Sequence, residues 1–361
     1  MPDLNATISA ALRELASAQT LTFKARVFRR AAAAVLALDV PIDQLIRPDG
    51  TVPEVPGIGP ASWKVIVDLV RTGGSERVDR EVSGSKRSAD IVRARAARET
   101  FLSGAEVRRI LTAPAAKGVV SREDYRGDFQ MHSVWSDGTM TLAALVKGCR
   151  ARGYTCSAVT DHSHGLRVTN GLTGRSAARQ HRTIDAMNRK QPAFRLLKGV
   201  EANILADGRL DLEPDELARF EMVLAAPHSQ LRLTTDQTPR LLTAIRTPGV
   251  HILAHPRGRQ SGTRAGVVAD WDRVFAEAAG LGVAVEIDGH PARQDLDHTM
   301  LGGALAAGCV FALDSDAHNV AELAHADVAI AHARLAGVPT DRIVNCWAID
   351  LLEAWLRHRR R

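Results

Sequence analysis

Short apolar runs along this chain end in residues able to hold a cation: DFQMHSVWSDG, VTDHSH, KGVEAN, APHS, LAHPRGR, EIDGH and DSDAH. They supply His132, Asp137, His162, Glu201, His228, His255, Asp316 and His318, a set of imidazoles and carboxylates with no thiolate. Such donors suit Zn²⁺, Mn²⁺ or Fe²⁺, and several of these ions sharing a carboxylate clamp a phosphate and activate water near neutral pH. One histidine at the end of an apolar run is ordinarily structural. Its repetition along the chain, with acids beside it, is what predicts hydrolysis at a metal centre. Arg257 and Arg259, just beyond His255, would offer guanidinium forks to a phosphate oxygen. Arg293 stands similarly after EIDGH. Lys198 faces either a helix or the site, and Trp135, between His132 and Asp137, either stacks a base or closes the fold.

These residues need strands to deliver them, and the pattern predicts strands at 128–132, 157–161, 196–202, 222–227, 250–254, 283–287 and 310–313. Helical stretches alternate with them, which is the signature of repeated β-α units. Seven strands suggest a barrel-like α/β fold rather than an open sheet, although periodicity alone does not separate the two. The polar ends are C-terminal strand ends, where α/β barrels place their chemistry.

Ahead of this region the texture is helical. Residues 5–40 read as two helices, and FKARVFRRAAAAVLAL sets Lys24, Arg26, Arg29 and Arg30 beside an apolar stripe. Prolines and a glycine then break the pattern before VPGIGPASWKVIVDLVRTG, a glycine turn feeding a helix that stops at Gly73. Backbone N–H groups freed by Gly57 and Gly59 would meet a phosphate, with Lys64 and the upstream cluster adding charge. The chain therefore divides into a helical domain at 1–74, a basic linker with some helical content at 75–124, and an α/β domain at 125–361.

Composition narrows the setting. Of 361 residues 45% are hydrophobic and 24% charged, as in ordinary soluble proteins. Cys149, Cys156, Cys309 and Cys346 form no CxxC pair and sit in apolar stretches, so buried thiols in a reducing cytoplasm are expected. No apolar run approaches the ~18 residues of a membrane span, and no signal peptide opens the chain. The net charge of +6 and pI near 9.4 weakly favour polyanions. The basic tail at 357–361 is read as a solvated end.

From Gly127 to His318 the sequence resembles the polymerase and histidinol phosphatase (PHP) family at all its motif positions, in order. The resemblance implies a distorted seven-stranded β/α barrel with three ions. His132, Glu201 and Asp316 would hold the first, with Glu201 bridging to a second held by His228 and His255. Asp137, His162 and His318 would hold the third, and Asp161 would orient a ligand or a water. The family's first motif is usually His-x-His, whereas this chain has Gln130-Met131-His132. An amide is a poorer ligand than imidazole, which would leave the first ion weakly held or bound with an extra water and would shift preference towards Mn²⁺. Similar glutamine variants are found in bacterial family X DNA polymerases.

VPGIGPASWKVIVDLV resembles a helix-hairpin-helix motif, and with the upstream helices it is similar to the N-terminal domain of those polymerases. That domain contacts DNA phosphates without reading sequence. The polymerases' catalytic palm has no room in residues 75–124, so polymerase activity is not predicted. Their eukaryotic relatives' lyase lysine aligns with Val65, and Lys64 points ~100° away on a helix, so lyase activity is not predicted either. The resemblance implies a metal-dependent phosphoesterase acting on DNA, a 3′-5′ exonuclease or 3′-end processor in repair, using two or three divalent ions (Mn, Zn or Fe). The alternatives are a histidinol-phosphatase-type phosphomonoesterase and an inactive DNA-binding scaffold.

Overall fold

Asp3 starts the first helix by accepting a 3.0 Å hydrogen bond from the Ala6 amide, one of the donors a helix N-terminus leaves unpaired. Helix α1 (Leu4–Ala18) then buries Ile8, Leu12 and Leu15 at helical spacing. The computed structural model to which these helices belong describes residues 3–93, 95, 99–166, 169–262 and 264–359. Arg98, Arg360 and Arg361 of the basic stretches lie outside the described residues. The chain forms two compact units, one of residues 1–113 with 260–265 and one of 114–259 with 266–361.

The first unit is helical. Helix α2 (Thr22–Ala37) buries Phe28, Ala31, Ala32 and Val35 and leaves Lys24, Arg26, Arg29 and Arg30 exposed. Gly59 and Pro60 open α3 (Pro60–Thr72), which ends at Gly73 in the left-handed conformation (φ 73°). Gly57 has φ 94°, and a Cβ there would lie 3.1 Å from the Cβ of Ala34, so the turn needs glycine for both backbone and space. The element before this turn is only the 3₁₀ turn Ile42–Leu45 followed by irregular chain, because Pro41, Pro48 and Pro53 interrupt it.

The stretch expected as a linker is built differently. Residues 76–83 and 88–93 are helices α4 (Glu76–Ser83) and α5 (Ser88–Arg93), and their Val78, Val82 and Ile91 join the core of α1 to α3. Helix α6 (Gly104–Thr112) follows in the same unit. Several arginines of the stretch are neutralised locally, Arg77 by Glu81, Arg109 by Glu106, and Arg95 by a bidentate pair with the buried Glu14.

The second unit carries six parallel strands hydrogen-bonded in chain order: β1 (Cys156–Val159), β2 (Arg195–Asn203), β3 (Met222–Ala226), β4 (Ile252–Leu253), β5 (Ala284–Asp288) and β6 (Phe311–Asp314). Helices cross between successive strands, giving a curled α/β half-barrel. Ala226, Ala254, Ala284 and Ala312 pack with Leu197, Met222, Leu224 and Ile252, and with Leu352 and Leu356 of the C-terminal helix (Ile349–His358).

The expected first strand, 128–132, does not form as a strand. Its carbonyls still accept from β1 and its neighbour (Ala158 N to Asp128 O, 3.0 Å; Thr160 N to Met131 O, 2.9 Å), and His132 N reaches Ala317 O at 2.8 Å. Polar side chains take its other amides: Asp314 accepts from Phe129 N, Asp128 from Gln130 N and Thr160 from Met131 N. A regular ladder needs backbone partners at those positions. The four cysteines are free, three of them buried, as composition predicts. Among the described residues no helix is long and apolar enough to cross a membrane.

Candidate metal centre

The strand ends converge on one carboxylate. Glu201, near the end of β2 and 1% exposed, has Oε1 at 2.8 Å from His255 Nε2 and 3.1 Å from His228 Nε2. Its Oε2 lies 3.0 Å from His162 Nδ1 and 3.3 Å from His132 Nε2. Four rings carried by four segments thus meet both oxygens of one side chain. The ring of His132 is stacked between those of His162 and His318, with centroids 4.4 Å away on each side. Asp316 Oδ1 approaches His132 Nε2 at 3.1 Å. Asp137 lies 3.5 Å from both His162 Nε2 and His318 Nε2. His255 (φ 24°) and Asp316 (φ 52°) adopt left-handed backbone conformations, a strain that functional sites commonly store.

Three groups have ligand atoms close enough for an ion: His132 with Glu201 and Asp316; His162 with Glu201 and His228; and His132, Asp137, His162 and His318. The first matches the expected grouping. In the others the sharing is wider than expected, because His162 reaches both Glu201 and Asp137, and His132 borders two groups. His255 touches Glu201 as expected.

The donors fit divalent cations. Among the described residues both amide atoms of the fully buried Gln130 lack a hydrogen-bond partner, as do His132 Nδ1 and His255 Nδ1. Buried polar atoms left without partners are costly, and a cation or its bound water would supply what is missing. Nitrogen and oxygen donors without sulfur suit Zn²⁺, Mn²⁺ or Fe²⁺.

Charge in the centre is strongly polarised. Burial would raise the carboxyl of Glu201, but the charges of His162 and His228 and the hydrogen bonds of His228 and His255 hold it well below the usual range. Against the same desolvation, Asp137 and Asp316 lift His318 to about 9. Burial, reinforced by Arg293, lowers His255 to about 4.

The predicted arginines divide. Arg259 is 1% exposed and spends its guanidinium on Asp297, at 2.7 Å, and on the carbonyls of Arg293 and Gln294. Arg257 also binds Asp297, at 2.8 Å. Both brace the loop after β4, since a buried guanidinium must satisfy its donors on the nearest acceptors. Arg293 instead contacts the carboxylate of Asp316, with Asp288 at 3.5 Å. Arg293 is thus in contact with a candidate ligand.

Asp161 is fully buried and accepts from Ser133 N (2.8 Å), Ser133 Oγ (2.6 Å), Ser136 Oγ (2.6 Å) and Gln180 Nε2 (2.6 Å). It fixes the loop between His132 and Asp137 rather than orienting a ligand ring. Lys198 faces a helix, with Asp185 at 2.6 Å. Ser133, Ser136, Gln180 and Asp297 went unnoticed in the sequence. Gln180 had a signal, because it lies between Ala177 and Ile184 on one buried helix face.

The fold and the centre define an α/β half-barrel whose strand ends gather donors for divalent cations. Over 233 residues the chain is 38% identical to the DNA polymerase/3′-5′ exonuclease PolX of Bacillus subtilis (strain 168), covering 64% of this chain and 41% of that protein. It is 28% identical over 165 residues to a probable phosphatase of Syntrophotalea carbinolica, covering 42% of this chain and 65% of that one. The chain thus spans less than two thirds of the length of these curated relatives. A solved structure of histidinol phosphate phosphatase from Lactococcus lactis, complexed with zinc, L-histidinol and phosphate, gives a TM-score of 0.43 at 15% identity. That likeness covers 58% of this chain and 94% of the other. No family model matches the chain. Its sequence relatives are thus a polymerase/3′-5′ exonuclease and a probable phosphatase, and their similarity supports a phosphoesterase of the PHP type that the motif positions resemble.

Proposed function

We propose that this protein is a DNA-end-processing phosphodiesterase, a 3′-5′ exonuclease or 3′-end processor in DNA repair. The observation that carries the reading is the 38% identity to a protein named as a polymerase and 3′-5′ exonuclease. The helical unit would hold the DNA backbone through the exposed Lys24, Arg26, Arg29, Arg30 and Lys64 and the amides freed by Gly57 and Gly59.

His132, Asp137, His162, Glu201, His228, His255, Asp316 and His318 would hold two or three divalent ions, with Gln130 as a further donor. Bound there, Mn²⁺, Zn²⁺ or Fe²⁺ would supply Lewis acidity towards the phosphoryl group and acidify water. Glu201, kept ionised by the rings around it, would join two of these sites. Arg293 would release Asp316 to a cation and turn its guanidinium to the substrate phosphate.

The test is release of nucleotides from a 3′-labelled DNA strand in Mn²⁺, set against phosphate release from histidinol phosphate. Turnover of the monoester without cleavage of DNA overturns the nuclease reading. The likeness to probable phosphatases favours that second reading, in which the helical unit serves assembly alone. A purified protein that retains no metal and cleaves neither substrate would instead be a DNA-binding scaffold.

A further inference from the structure

The helix Gly174–Lys190 presents two chemically opposite faces. Ala177, Gln180 and Ile184 are buried, whereas Arg175, Arg179 and Arg182 are exposed. At spacings of four and three residues these arginines line one side of the helix over roughly 10 Å of its axis. The helix has one acid, Asp185, and Lys198 occupies it at 2.6 Å. Among the described residues none of the three arginines forms an ion pair. Their charge is uncompensated.

This stripe adjoins the metal centre. The guanidinium of Arg179 lies over the indole of Trp135, 5.7 Å from the ring centroid. Trp135 is half-buried and stands between His132 and Asp137. Asp161 holds the two elements together, taking Gln180 from the helix and Ser133 and Ser136 from the Trp135 loop. The N-terminus of the helix, capped by Thr173, adds partial positive charge at the same end.

Cations in a row beside an aromatic face match single-stranded nucleic acid, whose phosphates follow the charges while a base stacks on the ring. A small phosphomonoester has no second phosphate to reach along the helix. We infer that Arg175, Arg179, Arg182 and Trp135 form a track that seats the single-stranded end of DNA against the metal centre. The inference deepens the nuclease reading and rests on it.

The experiment uses full-length protein and a fluorescein-labelled oligothymidylate, with affinity measured by anisotropy across a salt series. Replacing all three arginines by glutamate should weaken binding roughly tenfold or more, and should make the log–log salt dependence shallower by about 2, at ~0.7 per phosphate contact. Trp135→Ala should weaken binding and Trp135→Phe restore most of it. Lys147→Glu, an exposed charge reversal on another helix, should change affinity by less than about twofold.

A triple variant that melts like the parent, holds the same metal and keeps the parental affinity and salt slope overturns the track. So does a loss matched by Lys147→Glu. Equal losses on a duplex of the same length overturn the single-stranded occupant. Cleavage of a 3′-labelled strand keeps the two readings apart. Stripe-dependent binding without cleavage by the parent leaves the track standing and sinks the nuclease reading, and cleavage and binding that ignore the stripe do the reverse.

Discussion

Glu201 carries more of the centre than any other side chain, since four imidazoles approach its two oxygens. Removing it separates the candidate ion sites and leaves buried imidazoles facing one another. Glu201→Ala should therefore lose both tightly held metal, read by elemental analysis of the purified protein, and phosphoester cleavage. Retained metal with lost cleavage would make Glu201 a catalytic group rather than a ligand. Arg259 makes the opposite case, a residue read as functional that is enclosed in the fold. Arg259→Ala takes one guanidinium from the buried Asp297 and a donor from the carbonyls of Arg293 and Gln294, and should cost about 3–5 kcal/mol in urea denaturation. Arg293→Ala should instead raise KM for a phosphoester while leaving the denaturation midpoint near the parent's.

The helix Gly174–Lys190 shows how an element couples stability to the site. His181, beside Gln180, packs edge-on against Phe220 at 5.1 Å between ring centroids. Burial and then the charge of Lys198 lower its imidazole from 6.5 to about 4. The folded protein therefore binds fewer protons than the unfolded chain in that interval, and the contribution is full above pH 6.5 and lost as pH falls towards 4. His181→Phe should flatten the acid side of the melting-temperature profile between those values, and a profile parallel to the parent's would reject the assignment. The irregular segment at 128–132 is the counterpart of this helix. Its departure from strand geometry lets Asp314, Asp128 and Thr160 bond backbone amides, and it delivers His132 into the stack of rings.

Two units with separate cores divide the work between backbone binding and chemistry under the proposed function. Charge reversal at Lys24, Arg29 and Arg30 should flatten the salt dependence of duplex binding by up to about 0.9 per lost phosphate contact. Catalysis on a small chromogenic diester would report on the second unit alone. Chelation should lower the melting temperature of the whole protein, because ions bound to the folded state alone stabilise it by about 4 kcal/mol at a thousandfold excess over Kd. Unchanged melting in chelator would contradict a metal-filled centre.

Much of this was legible in the chain. Donor types and their places after apolar runs are local facts, and they named every member of the three ligand groups. Helices α1, α2 and α3 followed from apolar spacing and from Gly59, Pro60 and Gly73, again local signals. What needed the tertiary structure was partnership across long separations. Asp297, 38 residues from Arg259, turns an apparent phosphate ligand into a buried brace. Val78 and Val82 of α4 and Ile91 of α5 turn an expected linker into core, and side-chain acceptors turn an expected strand into an irregular segment. The sequence alone determined which residues could do the chemistry, because donor type is a property of each side chain. Only the folded chain decided which of them are free to act, because hydrogen-bond and charge satisfaction depends on what lies beside each group in space.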